Sequence, residues 1–199
     1  DAIGHDDRIG RKFLGAGLGF GGGCLPKDIR AFMARAGELG VDQALTFLRE
    51  VDAVNLRRRA HVVERATALV GGNLNGARIA VLGAAFKPNS DDVRDSPALD
   101  VAGRLHLAGA DVRVFDPQAM ENAAVSSPTL GYASSLEDAC ADADLVIVAT
   151  EWQEFRTADP VALGAIVAHR RVIDGRNCLP VDAWLDAGWS YTGMGRHSS

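Results

Sequence analysis

Short β-rich runs alternate with helix-like segments along the second half of this chain. Five such runs predict strands, at RIAVLG (78–83), DVRVFD (111–116), DLVIVAT (144–150), RVIDG (171–175) and WSYTGMG (189–195). Helix-start signals lie between the runs, because Ser96 and Asp159 each precede a proline suited to a first helical turn. Apolar strands joined by helices are covered on both faces, so the pattern predicts an α/β fold with a doubly wound, mainly parallel sheet.

The first part of the chain is predicted to be helical. Apolar residues within 26–36 recur at the spacing of one helix face: Ile29, Phe32, Met33 and Ala36. A longer helix is predicted from about 42 to 70, and its arginine run at 57–59 is expected on a solvated face. The sequence GGNLNG (71–76) breaks this helix. We therefore predict two parts, a helical region over 1–76 and a Rossmann-like domain over 77–199.

Composition excludes several classes of partner and site. The net charge is −5, from 26 acidic and 21 basic residues in mixed runs, so neither a nucleic-acid partner nor a membrane partner is expected. The apolar runs are too short to span a bilayer, and we predict a cytoplasmic location. Three scattered cysteines favour neither a disulfide framework nor a zinc site, and no metal is expected.

The stretch GFGGGCLPKD (19–28) places Cys24 between a glycine run and a helix start at Pro26. A helix N-terminus stabilises a thiolate, which makes Cys24 a candidate nucleophile. Asp28 lies one helical turn further on and is a candidate general base. The alternative is that Cys24 is a small core residue and that Asp28 only complements the helix dipole.

A formal G-x-G-x-x-G spacing occurs at Gly17, Gly19 and Gly22. We do not interpret it as a dinucleotide fingerprint, because no strand-like run precedes it. Asp116 ends a predicted strand where a Rossmann domain would place its ribose-binding acid. The preceding βα turn carries a single glycine, so we interpret Asp116 as a turn former before Pro117.

The segment RIGRKFLGAGLGFGGGCLPKDIRAF (8–32) resembles the catalytic-cysteine segment of the UDP-glucose/GDP-mannose dehydrogenase family. One departure is Gly23, where the family usually has serine. The resemblance continues at 81–97, 114–117, 146–155 and 174–177, and so covers nearly the whole chain. It implies the family's helical central region and UDP-sugar domain, a homodimer, and a missing N-terminal NAD-binding domain.

The resemblance also implies an activity and its residues. The expected reaction oxidises UDP-glucose to UDP-glucuronate in two hydride transfers to NAD, through a thiohemiacetal and a thioester on Cys24, with Asp28 activating water. Lys27 and Arg94 match positions that contact NAD, and Arg8 matches an arginine that reaches the substrate of the neighbouring subunit. The implied substrate-binding set is Arg8, Phe13, Phe20, Gly21, Phe86, Lys87 and Arg176.

The order of the strands independently supports two members of that set. Lys87 follows the first predicted strand and Arg176 the fourth, and ligands of open α/β sheets bind at the carboxyl ends of strands. Two alternatives remain open: a non-catalytic nucleotide-sugar-binding and dimerisation module, or a sister enzyme acting on GDP-mannose or another UDP-hexose. Polar and thiol groups interpreted as structural are Asn55, His61, Cys140 and Cys178.

Overall fold

A computed structural model describes residues 2–11 and 14–195 and contains one six-stranded sheet. Its strands are β1 (Arg78–Leu82), β2 (Asp111–Phe115), β3 (Gly131–Tyr132), β4 (Leu145–Val148), β5 (Arg171–Asp174) and β6 (Ser190–Gly193). The order across the sheet is β3-β2-β1-β4-β5-β6, and every neighbouring pair is parallel. This confirms the predicted doubly wound, Rossmann-like fold.

Within the described residues, eight α-helices connect the strands and precede them. They are α1 (Leu25–Glu38), α2 (Thr46–Leu69), α3 (Pro97–Leu107), α4 (Met120–Ser126), α5 (Leu136–Cys140), α6 (Gln153–Arg156), α7 (Pro160–Gly164) and α8 (Val181–Asp186). Short 3-10 helices cover Ala2–His5 and Asp42–Leu45. The second of these replaces the predicted first turn of the long helix.

The predicted helix starts at Ser96 and Asp159 are confirmed. The Ser96 hydroxyl accepts a hydrogen bond from the Leu99 amide at 3.4 Å, and the Asp159 carboxylate accepts one from the Val161 amide at 2.8 Å. These side chains satisfy amides that have no partner within their own helix. Each helix therefore begins at a residue that the sequence identifies.

The sheet is buried on both faces. All four residues of β4 are buried, and β1 is buried after Arg78. Strand order reverses between β1 and β4, which pair from Ile79 opposite Leu145 to Leu82 opposite Val148. A crevice for ligands is expected where loops diverge from the carboxyl ends of these two strands.

The arginine run at 57–59 corrects one prediction. Arg57 and Arg58 are exposed as expected, but Arg59 is only 4% exposed. Arg59 lies on the same helical stripe as Val62 and Ala66, the buried apolar residues of α2. Its charge is balanced by Asp95 and Asp100, which allows a guanidinium to lie in the interior.

Apolar side chains remain exposed along α1 and the first half of α2. Phe32, predicted to be on the buried face of α1, is 59% exposed, and Phe47 is 60% exposed. Val51 and Val54 extend this exposed surface along α2. In the described part of the chain, no helix combines the length and apolar character needed to cross a membrane.

Candidate functional site

A glycine-rich loop, residues 14–24, reaches the carboxyl edge of the sheet. Leu18 anchors it, because this side chain is buried against Gly175 at the end of β5. A Cβ atom at Gly175 would lie 2.8 Å from Leu18 Cδ2 and 2.7 Å from the Val148 carbonyl oxygen. The absence of a side chain at Gly175 thus lets the loop pack directly on the ends of β4 and β5.

Three further close approaches fix the course of this loop. At Gly17 the Arg176 guanidinium fills the space that a Cβ atom would take. A Cβ atom at Gly21 would lie 2.6 Å from the Asp95 carbonyl oxygen, and one at Gly22 would lie 2.9 Å from the Phe86 ring. The loop therefore passes from the end of β5 to the segment that follows β1.

Cys24 ends the glycine-rich loop and is the N-cap residue of α1. Its side chain is exposed, which excludes the alternative of a small core residue. Pro26 lies in the first helical turn, and the Asp28 amide donates to the Cys24 carbonyl oxygen at 2.9 Å. Asp28 thus lies one turn after Cys24, and its carboxylate is 3.2 Å from Lys27 Nζ.

Phe86 and Lys87 follow β1, and Lys87 Nζ lies 5.3 Å from the centre of the Phe86 ring. Arg176 follows β5, which is the fifth strand and not the fourth, because the two-residue β3 was not predicted. Glu151, in the loop after β4, holds Arg176: Nε is 2.6 Å from Oε2, and Nη2 donates to Oε1 at 3.0 Å.

A network of side chains that is not among the predicted site residues holds Phe20. The Phe20 amide donates to Asn55 Oδ1 at 2.9 Å, and Arg59 Nη2 donates to the Phe20 carbonyl oxygen at 3.1 Å. Asp95 joins both helices to this network, since it accepts from Arg59 at 3.0 Å and from Arg30 at 2.9 Å. The stripe shared by Arg59, Val62 and Ala66 was the available sequence signal.

Arg8 and Phe13 complete the predicted substrate set. The Arg8 side chain is 88% exposed and pairs at 2.6 Å with Asp6, whose carboxylate pKa it lowers. Phe13 lies outside the described residues. Of the two predicted NAD contacts, Lys27 is exposed beside Asp28, and Arg94 is exposed and donates to Asp92.

Asp116 is a buried structural residue. Its Oδ2 accepts from the amides of Ala84 and Ala85 and from Trp152 Nε1, at 2.8, 3.0 and 3.0 Å. Its Oδ1 accepts from two amides of the following turn, at 3.0 and 2.9 Å. Since the amides after β1 are occupied by this carboxylate, the turn does not fit a dinucleotide pyrophosphate, and the turn-former interpretation of Asp116 is confirmed.

The other two cysteines differ from Cys24 in their surroundings. Burial raises the pKa of the Cys140 thiol to about 12. Burial, with a further contribution from the negative charge of Asp174, raises the pKa of the Cys178 thiol to about 12 as well. Both thiols stay protonated near neutral pH, as expected of structural cysteines.

Comparison with known proteins assigns the chain to a family. Residues 80–181 match the UDP-binding domain of the UDP-glucose/GDP-mannose dehydrogenase family, and residues 1–57 match its central domain. The UDP-glucose 6-dehydrogenase of Rhizobium meliloti is 41% identical over 98% of this chain, and TuaD of Bacillus subtilis, a UDP-glucose 6-dehydrogenase, is 38% identical over 98%.

The solved structure of a UDP-glucose dehydrogenase from Pyrobaculum islandicum is similar over 98% of this chain, with a TM-score of 0.82 and 36% identity. This chain covers 44% and 42% of the two curated relatives and 42% of that solved chain. The residues matched by the two family models include the glycine-rich loop with Cys24 and strands β2 to β5 of the sheet on which it packs. The chain belongs to the UDP-glucose/GDP-mannose dehydrogenase family.

Proposed function

We propose that this chain supplies the UDP-sugar site and the thiol nucleophile of an NAD-dependent dehydrogenase that oxidises UDP-glucose to UDP-glucuronate. One observation carries the proposal. The loop that packs on Arg176 at Gly17 and on Phe86 at Gly22 ends at an exposed Cys24. The proposed nucleotide site and the exposed thiol are thus joined by a single short segment.

The nucleotide end of the substrate is assigned to the crevice between the loops after β1, β4 and β5. Lys87 and Arg176 supply positive charge there, which suits a diphosphate. The half-buried Phe86 gives Lys87 an aromatic surface and contacts Gly22 of the loop. With the diphosphate held at these loops, the sugar would extend along Phe20 and Gly21 toward Cys24.

Cys24 is assigned the covalent chemistry. Its sulfur adds to the carbonyl carbon of the sugar C6 aldehyde, and the thiol proton ends on the carbonyl oxygen, giving a thiohemiacetal. Loss of a hydride and a proton gives a thioester, and attack by water breaks the C–S bond, releases the carboxylate and returns the thiol. Asp28, one turn from Cys24, is assigned as the base that takes the proton from that water.

NAD, when bound, accepts one hydride in each of the two oxidations. The residues of this chain assigned to hold it are Lys27 and Arg94, exposed cations that suit its diphosphate. Lys27 and Arg94 would contact NAD only at the edge of its site. The turn after β1 cannot hold the dinucleotide, because the Asp116 carboxylate occupies its amides. We propose that the dinucleotide-binding domain lies outside these 199 residues.

A homodimer through the helical region is part of the proposal. The exposed apolar side chains of α1 and α2, including Phe32, Phe47 and Val54, form a surface suited to a second copy. The exposed Arg8 is assigned to reach the substrate of the neighbouring subunit. The division at 76/77 and the cytoplasmic location stay predictions.

Calorimetric titration of the chain with UDP, UDP-glucose and GDP tests the nucleotide site. We expect UDP and UDP-glucose to bind, GDP to bind at least about tenfold more weakly, and Lys87→Ala or Arg176→Ala to weaken UDP binding by a similar factor. Equal binding of GDP would favour the sister-enzyme alternative. Unchanged UDP binding in both variants would contradict the assigned crevice.

A second experiment separates the enzyme from the non-catalytic module. With UDP-glucose and NAD, we expect the isolated chain to form NADH only at background level, and activity well above background would contradict an external NAD domain. In the full-length protein, Cys24→Ser is expected to stop turnover and leave UDP binding intact. Turnover in that variant would overturn the assigned nucleophile, and loss of UDP binding would indicate a structural cysteine.

A further inference from the structure

The residue directly before Cys24 has no side chain, and an arginine occupies the space. A Cβ atom at Gly23 would lie 2.6 Å from Arg94 Nε and 2.7 Å from Nη1, with Cζ closer still. Real Cβ atoms do not approach other atoms so closely, so any side chain at position 23 displaces the guanidinium. The Arg94 guanidinium is therefore a direct neighbour of the segment that carries the exposed thiol.

Arg94 is held in this position from two directions. Asp92 takes one edge of the guanidinium, with Nε donating to Oδ1 at 2.9 Å and Nη2 donating to Oδ2 at 2.7 Å. The backbone is tied to the loop, because the Gly22 amide donates to the Arg94 carbonyl oxygen at 2.9 Å. Nη1 takes no part in the bonds to Asp92 and lies on the side of Gly23.

Asp92 and Cys24 both act on the charge of this arginine. The pKa of Arg94 is raised above its ordinary value, mainly by the hydrogen bonds to Asp92, and Cys24 makes a smaller contribution in the same direction. In turn, the Arg94 guanidinium lowers the pKa of the Asp92 carboxyl, with a smaller contribution from Lys87. On α1, Lys27 and Asp28 pair with each other at 3.2 Å.

We propose that Arg94 is a positioning residue for the nucleophile, a fixed positive charge that stabilises the Cys24 thiolate, and that Gly23 is the opening that admits it. The importance of Arg94 for turnover rests on the proposed function, whereas its effect on the Cys24 thiol is independent of that function. The proposal gives a physical role to Gly23, at which this chain departs from the usual serine of the family. Arg94, which the proposed function assigns only to NAD, would then also act on the Cys24 thiolate.

The rate of Cys24 alkylation by iodoacetamide at pH 7 tests the proposal on the chain itself, without UDP-sugar or NAD. The thiolate displaces iodide to form the thioether, and peptide mass spectrometry reports modification at each cysteine separately. We expect Arg94→Gln to slow alkylation of Cys24 roughly three- to tenfold, since both partners are exposed and their attraction is screened. Arg94→Lys should restore part of the rate.

Arg35→Gln is the matched control. Arg35 is an exposed arginine with its own carboxylate partner, Glu38 at 2.6 Å, and the substitution removes the same charge from the far end of α1. Alkylation at the original rate in Arg94→Gln, or equal slowing in both variants, would overturn the proposal. Circular dichroism and urea denaturation confirm that each variant is folded when its rate is measured.

Gly23→Ala provides an independent arm, because a methyl group must push the guanidinium away from the loop. We expect Gly23→Ala alone to slow alkylation of Cys24 as much as Arg94→Gln does. In the double variant with Arg94→Gln, we expect Gly23→Ala to cause no further slowing. Equal slowing in both backgrounds would mean that loop distortion, and not loss of the cation, is responsible. If the wild-type chain did not bind UDP in the titration, the proposed function would be contradicted, but the expected alkylation rates would stay the same.

Discussion

Arg176 and Glu151 form a two-point ion pair that joins the loops after β5 and β4. The two contacts are 2.6 and 3.0 Å long, and both side chains are largely buried, with 20% and 30% of their surface exposed. The same guanidinium lies under Gly17. The guanidinium is therefore held on two sides, by Glu151 through Nε and Nη2 and by the glycine-rich loop at Gly17.

Removing Glu151 should destabilise the fold by leaving this guanidinium without its partner. We expect Glu151→Ala to lower the free energy of unfolding by about 1–3 kcal/mol and Glu151→Gln by less, because the amide oxygen still accepts from Nη2. Urea denaturation at pH 7 measures the difference. Glu154→Gln, an exposed acid in the following helix, is the control, and a midpoint unchanged from wild type in Glu151→Ala would show that the ion pair contributes nothing.

The glycine-rich loop should tolerate no side chain at Gly21. A methyl group there meets the Asp95 carbonyl oxygen and Pro97 Cδ, both at 2.6 Å, so we expect Gly21→Ala to cost about 1–3 kcal/mol of stability. Gly37→Ala is the control, since this helical glycine has open space around it and alanine should stabilise α1 by roughly 0.5–1 kcal/mol. Chemical denaturation of the two variants should give shifts of opposite sign.

Arg59 should hold the loop in place from α2. Arg59→Met keeps the length of the side chain but removes the bonds to Asp95 and Phe20, and we expect a loss of about 2–3 kcal/mol, moderated by the partial exposure of Asp95. Hydrogen exchange of the amides in 17–24 should increase. Arg57→Met, on the exposed side of the same helix, should change neither measurement.

The three cysteines should differ sharply in reactivity. At pH 8 we expect iodoacetamide to modify Cys24 in the folded chain and to leave Cys140 and Cys178 intact, because burial raises both pKa values to about 12. Modification of Cys140 and Cys178 at the rate of Cys24 would contradict their assigned surroundings. After unfolding in denaturant, all three should react.

The raised thiol pKa values also predict how stability depends on pH. Between pH 9 and 12 an unfolded thiol is ionised while the buried one keeps its proton, so the folded state binds more protons and loses stability as the pH rises. The contribution of these thiols is therefore complete below about pH 9. Replacing Cys140 by alanine should flatten that part of the stability profile, measured by urea denaturation at each pH.

The exposed apolar surface of α2 should be needed for dimerisation. We expect Phe47→Glu to convert a dimer to a monomer in light scattering, because a charge in an apolar interface is not compensated. Leu107→Glu is the control, since Leu107 is 87% exposed at the end of α3, outside the proposed surface. A wild-type chain that is monomeric at all concentrations would contradict the proposed dimer.

The local sequence predicts those helices and strands whose formation depends mainly on contacts between residues close together in the chain. The strand at 145–148 is an uninterrupted apolar run, and Ser96 and Asp159 cap helices that begin at the next residue. The two-residue β3 was not predicted, because Gly131 and Tyr132 form too short a run to show any periodicity. Arg59 shares a helical stripe with Val62 and Ala66, but its burial depends on elements such as α3 that pack on α2 from far along the chain.

The alternation of strands and helices, the helix starts and the position of Cys24 at the end of a glycine run can be read from the sequence, since all of these depend on residues near each other in the chain. The folded structure was needed to show that Glu151 holds Arg176, that Asp95 joins α1 and α2, and that Arg94 fills the space at Gly23. Those partners are 25 to 71 positions apart, and the parallel sheet brings them together by collecting its loops at one edge.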